Sequence, residues 1–569
     1  MRKRKLQNGI TVNAIAGTYV VFLGFDLELK FRNEFRGFAI KRKDHSDGEE
    51  IWLRGIKTFK ETNPHPAPGE TFSSFYHPIQ GFQWADYSAK SGITYTYTIV
   101  CMYGNPSNLQ NKREIEITIT TEVELGNIHT VFFNRGSVAS QEYARKFLNK
   151  KPSEAGIGAY KWLSRGLVEA LIAFIERANK DFSIHGAVYE LQFPEVLNAL
   201  KQASNRGANV KVIFDDVEKY NSKGKPIGPW KRNREQIKTS KIKSLCISRA
   251  HGKLMHNKFF VLSKGNKNLA VWTGSTNLTE NGIYGHSNLG HIVENEAVAN
   301  SYIDYWKRLK NDPVIDNVYR NANMSASPIP SEMQNGTALI FSPRGNNLDA
   351  LNWYAHIAEN AQNALFMTFA FGMHEKFKKI FKKKDNILRM ALMEKAYSSP
   401  RIKEKDEKEI QKIRNLSNVI VSIGNRIVTN SFDRWLIEID RIVNNIHVHW
   451  IHTKYMLVDP LGNAPIVISG SANFSKASTN TNDENMMIIK GDKRIADIYF
   501  GEYIRLFSHY SFREAVKWAM KKNNLGLPQQ WTPQYLVNDD NWMKDYFEEV
   551  DDRTARCARR KYFAGQMSI

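Results

Sequence analysis

The chain has little cysteine, no long apolar run and a shortage of acidic residues, and each scarcity narrows what it can be. Three of its 569 residues are cysteine: Cys101, Cys246 and Cys557. They are odd in number, far apart and without metal-ligand spacing, which excludes a disulfide framework and suits a reducing compartment. No stretch approaches the ~18 consecutive apolar residues of a membrane-crossing helix. The opening MRKRKLQNGITVNAIAG is basic, but its apolar part is short and interrupted by Asn13, so no signal peptide is expected and the expected location is cytoplasmic. Acidic residues number 58 against 80 Lys and Arg, a formal net charge of +22. The imbalance is uneven. Residues 1–125 hold 16 Lys and Arg against 14 Asp and Glu, so about +20 falls on the remainder. A polyanion is the partner this favours, nucleic acid ahead of an anionic membrane surface.

A hydrophobic content of 42% with 12% aromatics marks a folded chain, long enough for roughly three or four domains. Residues 1–125 read as all-β. GTYVVFLGFDLEL, RGFAIKR, EEIWLRGI, GITYTYTIV and REIEITITT are short alternating runs separated by Gly, Pro, Asn and Asp. Tyr95, Tyr97 and Ile99 share one face. The pattern predicts a β-sandwich and resembles a fibronectin type III or immunoglobulin-like module, which implies a structural or protein-docking role.

From residue 126 strands alternate with helices, and the alternation occurs twice. TVFFNRG is echoed by LIFSPRG 209 residues later, and each precedes an amphipathic helix, a strand, a second helix and a second strand. This is an internal duplication of an α/β unit. The reading divides the chain into a sandwich (1–125), two α/β halves (126–330 and 331–515) and a helical tail (516–569) that caps the second half. Two charged segments interrupt the halves. Residues 223–243 carry eight Lys and Arg against one Glu. They are expected to form a basic loop or lid tipped by Trp230, with Lys223, Lys231 and Arg232 contacting substrate. Residues 375–414 hold 14 Lys and Arg but many acids as well, the mark of a solvated helix face.

The chemistry lies in a repeated motif. The first half reads HNKFFVLSKGNKNLAVWTGSTNLT and the second HTKYMLVDPLGNAPIVISGSANFS. His256 to Gly274 and His452 to Gly470 are both 18 residues, and the steps to Asn277 and Asn473 are both 21. Residues 450–459 read as a strand, so His452 and Lys454 point the same way. Two polar groups on one face of an apolar strand need a partner, and a phosphate fits. Lys258 and Lys454 would neutralise it, Asn277 and Asn473 would donate amide hydrogens, and Ser275 and Ser471 would add hydroxyls. A neutral imidazole is a competent nucleophile near pH 7 and an imidazolium a competent acid. No metal or other cofactor is required, because the lysines supply the positive charge.

H-x-K followed by G-S-x-N resembles the phospholipase D superfamily over roughly residues 126–515. The resemblance implies two α-β-α domains forming a pseudo-two-fold pair with one active site between them. It also implies a covalent phosphohistidine, with one histidine attacking phosphorus and the other protonating the leaving oxygen. Family habit makes His256 the nucleophile and His452 the acid. The family's motif Asp is present as Asp459 but replaced by Ser263 in the first half. The family's histidine-orienting carboxylate is Glu484, eleven residues past Asn473. The first half reads NLGH there, with Gly290 at the matching place and Glu294 or Glu296 nearby as a substitute. His447 and His449 read as ordinary strand residues, not zinc ligands, and His251 is unassigned. The motif leaves the substrate open. A nuclease comes first on the charge. A phospholipase D acting on phospholipid headgroups at a membrane surface is the alternative, and a weakened polyanion-binding protein is the third reading.

Overall fold

The computed structural model describes residues 1–67, 70–136, 140–345, 347–424, 450–522, 535–547 and 554–566. The N-terminal region folds as two four-stranded antiparallel sheets. One runs in the order Arg2–Gln7, Ile10–Ala16, Val21–Leu27, Gln83–Asp86. The other runs Asn108–Thr120, Thr94–Asn105, Phe35–Asp44, Glu50–Trp52. Alternation sorts the long strand Thr94–Asn105 as its sequence predicts. Tyr95, Tyr97 and Ile99 are fully buried, while the intervening threonines pair across strands, Thr94 with Thr120 at 2.8 Å and Thr96 with Thr118 at 2.7 Å. The buried Tyr97 hydroxyl donates to Asp86 at 2.9 Å, so its polar end is satisfied inside the sandwich.

Each of the next two regions is built on a seven-stranded mixed sheet with the same strand order. The first places Lys258–Lys264 between Lys267–Gly274 and Phe182–Val188. The second places Tyr455–Val458 between Ile466–Gly470 and Ala364–Phe369. Helices such as Pro194–Asn205 and Glu375–Phe381 supply the crossovers that parallel strands require. Cover on both faces explains why the central strands are nearly continuous apolar runs. Two single bridges join the halves, Met255 with Asp483 and Ile451 with Ser287. Both partners of one pair lie 196 residues from their counterparts in the other, the same offset as His256 to His452. The loop before each motif histidine is therefore stitched to the other half. No helix of the described residues is long and apolar enough to cross a membrane.

Three expectations about organisation change. The second-half strand covers only Tyr455–Val458, with His452 and Lys454 in the extended segment leading into it. A single 30-residue helix, Lys493–Lys522, runs through the expected boundary at 515. Beyond it the tail does not simply cap the second half. Trp542 and Met543 enter the sandwich core, and Arg560 pairs with the sandwich residue Asp26 at 2.6 Å. Phe563 packs against Phe22 of the sandwich and Phe366 of the second half. The tail thus ties the sandwich to the second half by burying apolar rings between them. In the acid-rich segment the helix Lys403–Arg414 is mostly exposed, as its mixed charge predicts.

Candidate active site

The two H-x-K segments meet where the halves are stitched, with the His256 and His452 rings 6.4 Å apart between centroids. All four side chains are buried: His256, Lys258, His452 and Lys454 expose 8%, 3%, 6% and 1%. Each lysine ammonium donates to the carbonyl of its own motif histidine, Lys258 to His256 at 2.6 Å and Lys454 to His452. That bond folds the lysine beside its histidine and explains the spacing of two. The carboxamide oxygens of Asn277 and Asn473 have no hydrogen-bond partner. The same atom is left unpaired at the equivalent position of each half, which matches the repeat of the two motifs.

The histidines are oriented from across the interface. Glu484 of the second half accepts from Nδ1 of His256 at 2.9 Å, and its other oxygen accepts from Asn482 at 3.1 Å. The counterpart for His452 is Asn288, whose Oδ1 lies 2.9 Å from Nδ1. Asn288 also accepts from Ser275 Oγ at 2.8 Å and donates to the Gly282 carbonyl at 2.8 Å, which fixes its amide orientation. This corrects the assignment of Gly290. Eleven residues past Asn277 is Asn288, and the 196-residue offset carries Glu484 onto the same position. Gly290 lies instead beside the Trp272 ring. Glu294 and Glu296 are not substitutes, because they engage Arg177 at 2.5 Å and Lys267 at 3.7 Å.

Burial, and then Lys258, push His256 down to about 4 against the opposing pull of Glu484. Burial also drives His452 well below its ordinary value, helped by Lys454, His286 and Lys258. Both lysines are lowered by the same burial. For Glu484, burial would raise the carboxyl, but His256, Lys258 and the bond from Asn482 hold it below its usual range. Burial thus disfavours the charged forms of both lysines and both histidines, a strain that a bound anion would relieve.

The other expected residues fall in varied places. Ser471 exchanges hydrogen bonds with the Asn485 backbone, accepting from N at 3.0 Å, and Ser275 accepts from Leu289 N at 3.2 Å. Both serines therefore brace the loops carrying Glu484 and Asn288. Asp459 accepts from the backbone of Gln362, Asn363 and Ala364 at 2.7–2.9 Å, anchoring the start of the adjacent strand. Trp230 is not an exposed lid tip. It opens the helix Trp230–Thr239, is 7% exposed, and its Nε1 donates to the Lys219 carbonyl at 3.3 Å. The exposed ring in that neighbourhood is Tyr220. Lys223 and Lys231 are exposed, and Arg232 is half-buried and felt by Glu190. Asn233 fixes the helix by donating to the carbonyls of Tyr189 and Asp215, both at 2.9 Å. His251 is exposed and pairs with Asp312 at 2.6 Å. His447 and His449 lie outside the described residues. Among those residues one carboxylate cluster has metal-like spacing, Glu375, Asp406 and Glu409. The Lys378 ammonium fills it at 2.6–2.8 Å.

Several residues here were not anticipated. Glu190 is buried, lies within the electrostatic reach of Lys258 and accepts from Asn277. Asp215 accepts from the Met255 N–H at 2.8 Å, and Glu394 from the Ile451 N–H at 2.9 Å, so each half uses a carboxylate to hold the residue before its histidine. His286 lies against His452, rings 5.3 Å apart, and is bonded to Asn281 at 2.8 Å. Carboxylates at the carboxyl ends of parallel strands were the available signal.

No curated protein matches the sequence. Polyphosphate kinase from Porphyromonas gingivalis is 10% identical, with 72% of this chain and 54% of that one covered and a TM-score of 0.36, so the chain spans about half its length. Phosphatidylserine synthase from Haemophilus influenzae is 13% identical, covering 62% and 90% at a TM-score of 0.41. Yeast tyrosyl-DNA phosphodiesterase is 10% identical, covering 56% and 84% at 0.31. The model described as "Cardiolipin synthase, PLD-like domain" matches residues 171–310 and 355–507, one segment in each half and together just over half of the chain. With both segments enclosing an H-x-K and G-S-x-N set, the chain belongs to the PLD-like family of cardiolipin synthase type, within the phospholipase D superfamily of phosphodiesterases.

Proposed function

We propose that this chain is a metal-independent nuclease that cleaves phosphodiesters through a covalent phosphohistidine on His256. The phosphate enters between Lys258 and Lys454, and its charge offsets their mutual repulsion. With Nδ1–H held by Glu484, Nε2 of His256 presents its lone pair to phosphorus. As the P–N bond forms, the bond to the leaving oxygen breaks, and His452 supplies the proton from its Nε2. Glu484 stabilises the positive charge that appears on the His256 ring, as the third member of a triad does. Water then attacks phosphorus, gives its proton to His452, and the P–N bond breaks to release the product and free His256. The carboxylate favours the nucleophile's position and the neutral Asn288 the acid's, because an amide does not hold the proton that His452 must give up.

The choice of nucleic acid rests on the placement of charge. About +20 lies outside residues 1–125. Exposed Lys223, Lys225, Lys231 and Lys253 belong to segments tied to the site, Lys253 by sequence and the others through Asn233 and the bond from Lys219 Nζ to the Lys253 carbonyl. Such a strip suits backbone phosphates, and Tyr220 offers a ring for stacking. The test is cleavage of single-stranded and plasmid DNA and RNA, run beside headgroup release from mixed phosphatidylglycerol and phosphatidylethanolamine vesicles. Strand cleavage with intact lipid is expected. Headgroup release with intact nucleic acid contradicts the proposal and establishes the lipid reading.

A further inference from the structure

Beside the catalytic centre the first half holds a cavity of about 510 Å³. Its walls join the site at two points. Asn281 is bonded to His286, which lies against His452. The charge of Arg232, which lines the cavity, acts on the buried Glu190, as does that of Lys258. Among the described residues the second half differs at two of these wall positions. The 196-residue offset places Ala477 and Asn480 where the first half has Asn281 and Tyr284. Whatever the cavity holds, it reads one side of the phosphate only.

The lining combines aromatic rings, carboxamides and two carboxylates with a single guanidinium, Arg232. Tyr160 and Tyr284 meet edge to face at 5.0 Å, with Phe193 on Tyr284 at 5.8 Å. Tyr160 is half-buried, so part of its ring faces the cavity. Gln192 and Gln236 contribute carboxamides, and the exposed carboxylates Glu195 and Glu280 stand at the rim. Those two carboxylates repel a phosphate, so the backbone does not thread this way. They accept hydrogen bonds well from the exocyclic amino groups of bases. Aromatic faces with amide edges fit a flat heterocycle, and the volume is ordinary for a small-ligand pocket.

We propose that this cavity is a nucleobase subsite, selective for amino-bearing bases, that seats the base on one side of the scissile phosphate. The inference rests on the nuclease reading and deepens it. The test uses dinucleoside monophosphates with a single scissile phosphate: deoxycytidylyl-deoxycytidine, its two analogues with one abasic deoxyribose on either side, and the thymidine equivalent. The wild-type enzyme should favour the base-bearing substrate over one of the two abasic analogues by about 10- to 100-fold, the range of a single stacked base. Tyr160→Ala should collapse that ratio towards one, and Glu280→Gln should reduce only the preference for cytosine over thymine. Both positions reach the surface, and thermal melting checks that each variant folds. A wild type indifferent to either abasic substitution, or a Tyr160→Ala enzyme that keeps the ratio, overturns the subsite while leaving the nuclease standing. A wild type that cleaves none of these and no polynucleotide, but releases lipid headgroups, overturns both.

Discussion

Replacing Glu484 by Gln removes one charge and almost no volume, and the structure says what should follow. The carboxylate is fully buried, accepts from His256 Nδ1 at 2.9 Å on one oxygen and from Asn482 Nδ2 at 3.1 Å on the other. A carboxamide has only one oxygen. If that oxygen stays with Asn482, the new NH₂ faces Nδ1 of His256 and donates to it. The ring proton is then driven to Nε2, the atom that must attack. If the amide turns over, Asn482 is left facing a donor instead. Either way the charge that stabilises the phosphorylated ring is lost. The corresponding exchange in a Ser-His-Asp triad costs about 10⁴ in kcat through the same change of tautomer. A loss of about 10³, or ~4 kcal/mol of transition-state stabilisation, is expected here. Hydrolysis of bis(p-nitrophenyl) phosphate followed by stopped flow reads it directly, with KM changing much less than kcat because Lys258 and Lys454 remain. Circular dichroism and thermal melting confirm the fold. A variant within tenfold of wild type in kcat would refute the assignment of Glu484 to the nucleophile.

Further outcomes follow from the same geometry. His256 must be neutral to attack and is depressed to about 4, so activity on the acid side should fall below about pH 5 and not near 6.5. His452 must be charged and is also depressed in the free enzyme. The kcat/KM optimum should therefore lie on the acid side of neutrality, while kcat extends to higher pH because the bound phosphate raises His452; an optimum of kcat/KM above pH 8 contradicts this. Asn288→Asp should move the alkaline limb of kcat upward, since a carboxylate would hold the His452 proton more tightly; an unmoved limb argues against the pairing. Asp215→Ala leaves the Met255 N–H unpaired and loosens His256, with an expected 10- to 100-fold loss in kcat and little change in KM. Arg249→Met strands the fully buried Asp483, its partner at 2.9 Å. It should cost about 3–5 kcal/mol in urea unfolding, with much of this recovered in the Arg249→Met, Asp483→Asn double variant.

The sequence carried the architecture and the paired motif groups because both repeat. Strand alternation located Tyr95, Tyr97 and Ile99 in the sandwich core, and the doubled H-x-K spacing named the four buried groups that meet between the halves. The same offset contained Asn288 as well, which a search for a carboxylate passed over. Less legible was everything that depends on which segments touch. Ser275 and Ser471 are identical in pattern to phosphate donors, yet their hydroxyls brace segments of their own halves, Ser275 at Asn288 and Leu289 and Ser471 at Asn485. Trp230 sits in a basic segment that looks like an exposed lid, but Asn233 fastens the helix to the strand ends and turns the indole inward. Glu190, Asp215 and Glu394 each follow an apolar strand run, a position that marks them as candidates, but their partners Lys258 and the Met255 and Ile451 N–H groups lie in segments that the local sequence does not bring together. The tail's helical pattern was visible, but its two-sided packing rests on contacts with residues more than 190 positions away.

The central claim is that one site is assembled from both halves, with His256 attacking phosphorus and His452 serving the leaving oxygen without a metal. The most direct measurement is to quench the reaction in alkali, where phosphohistidine survives, and map the adduct by mass spectrometry. His452→Ala enzyme is mixed in EDTA with bis(p-nitrophenyl) phosphate, whose leaving group needs no proton. The account predicts a phosphoryl adduct on the peptide carrying His256 and none on His256→Ala enzyme. An adduct on His452 in the His256→Ala enzyme, or wild-type turnover that EDTA abolishes and added metal restores, would contradict it.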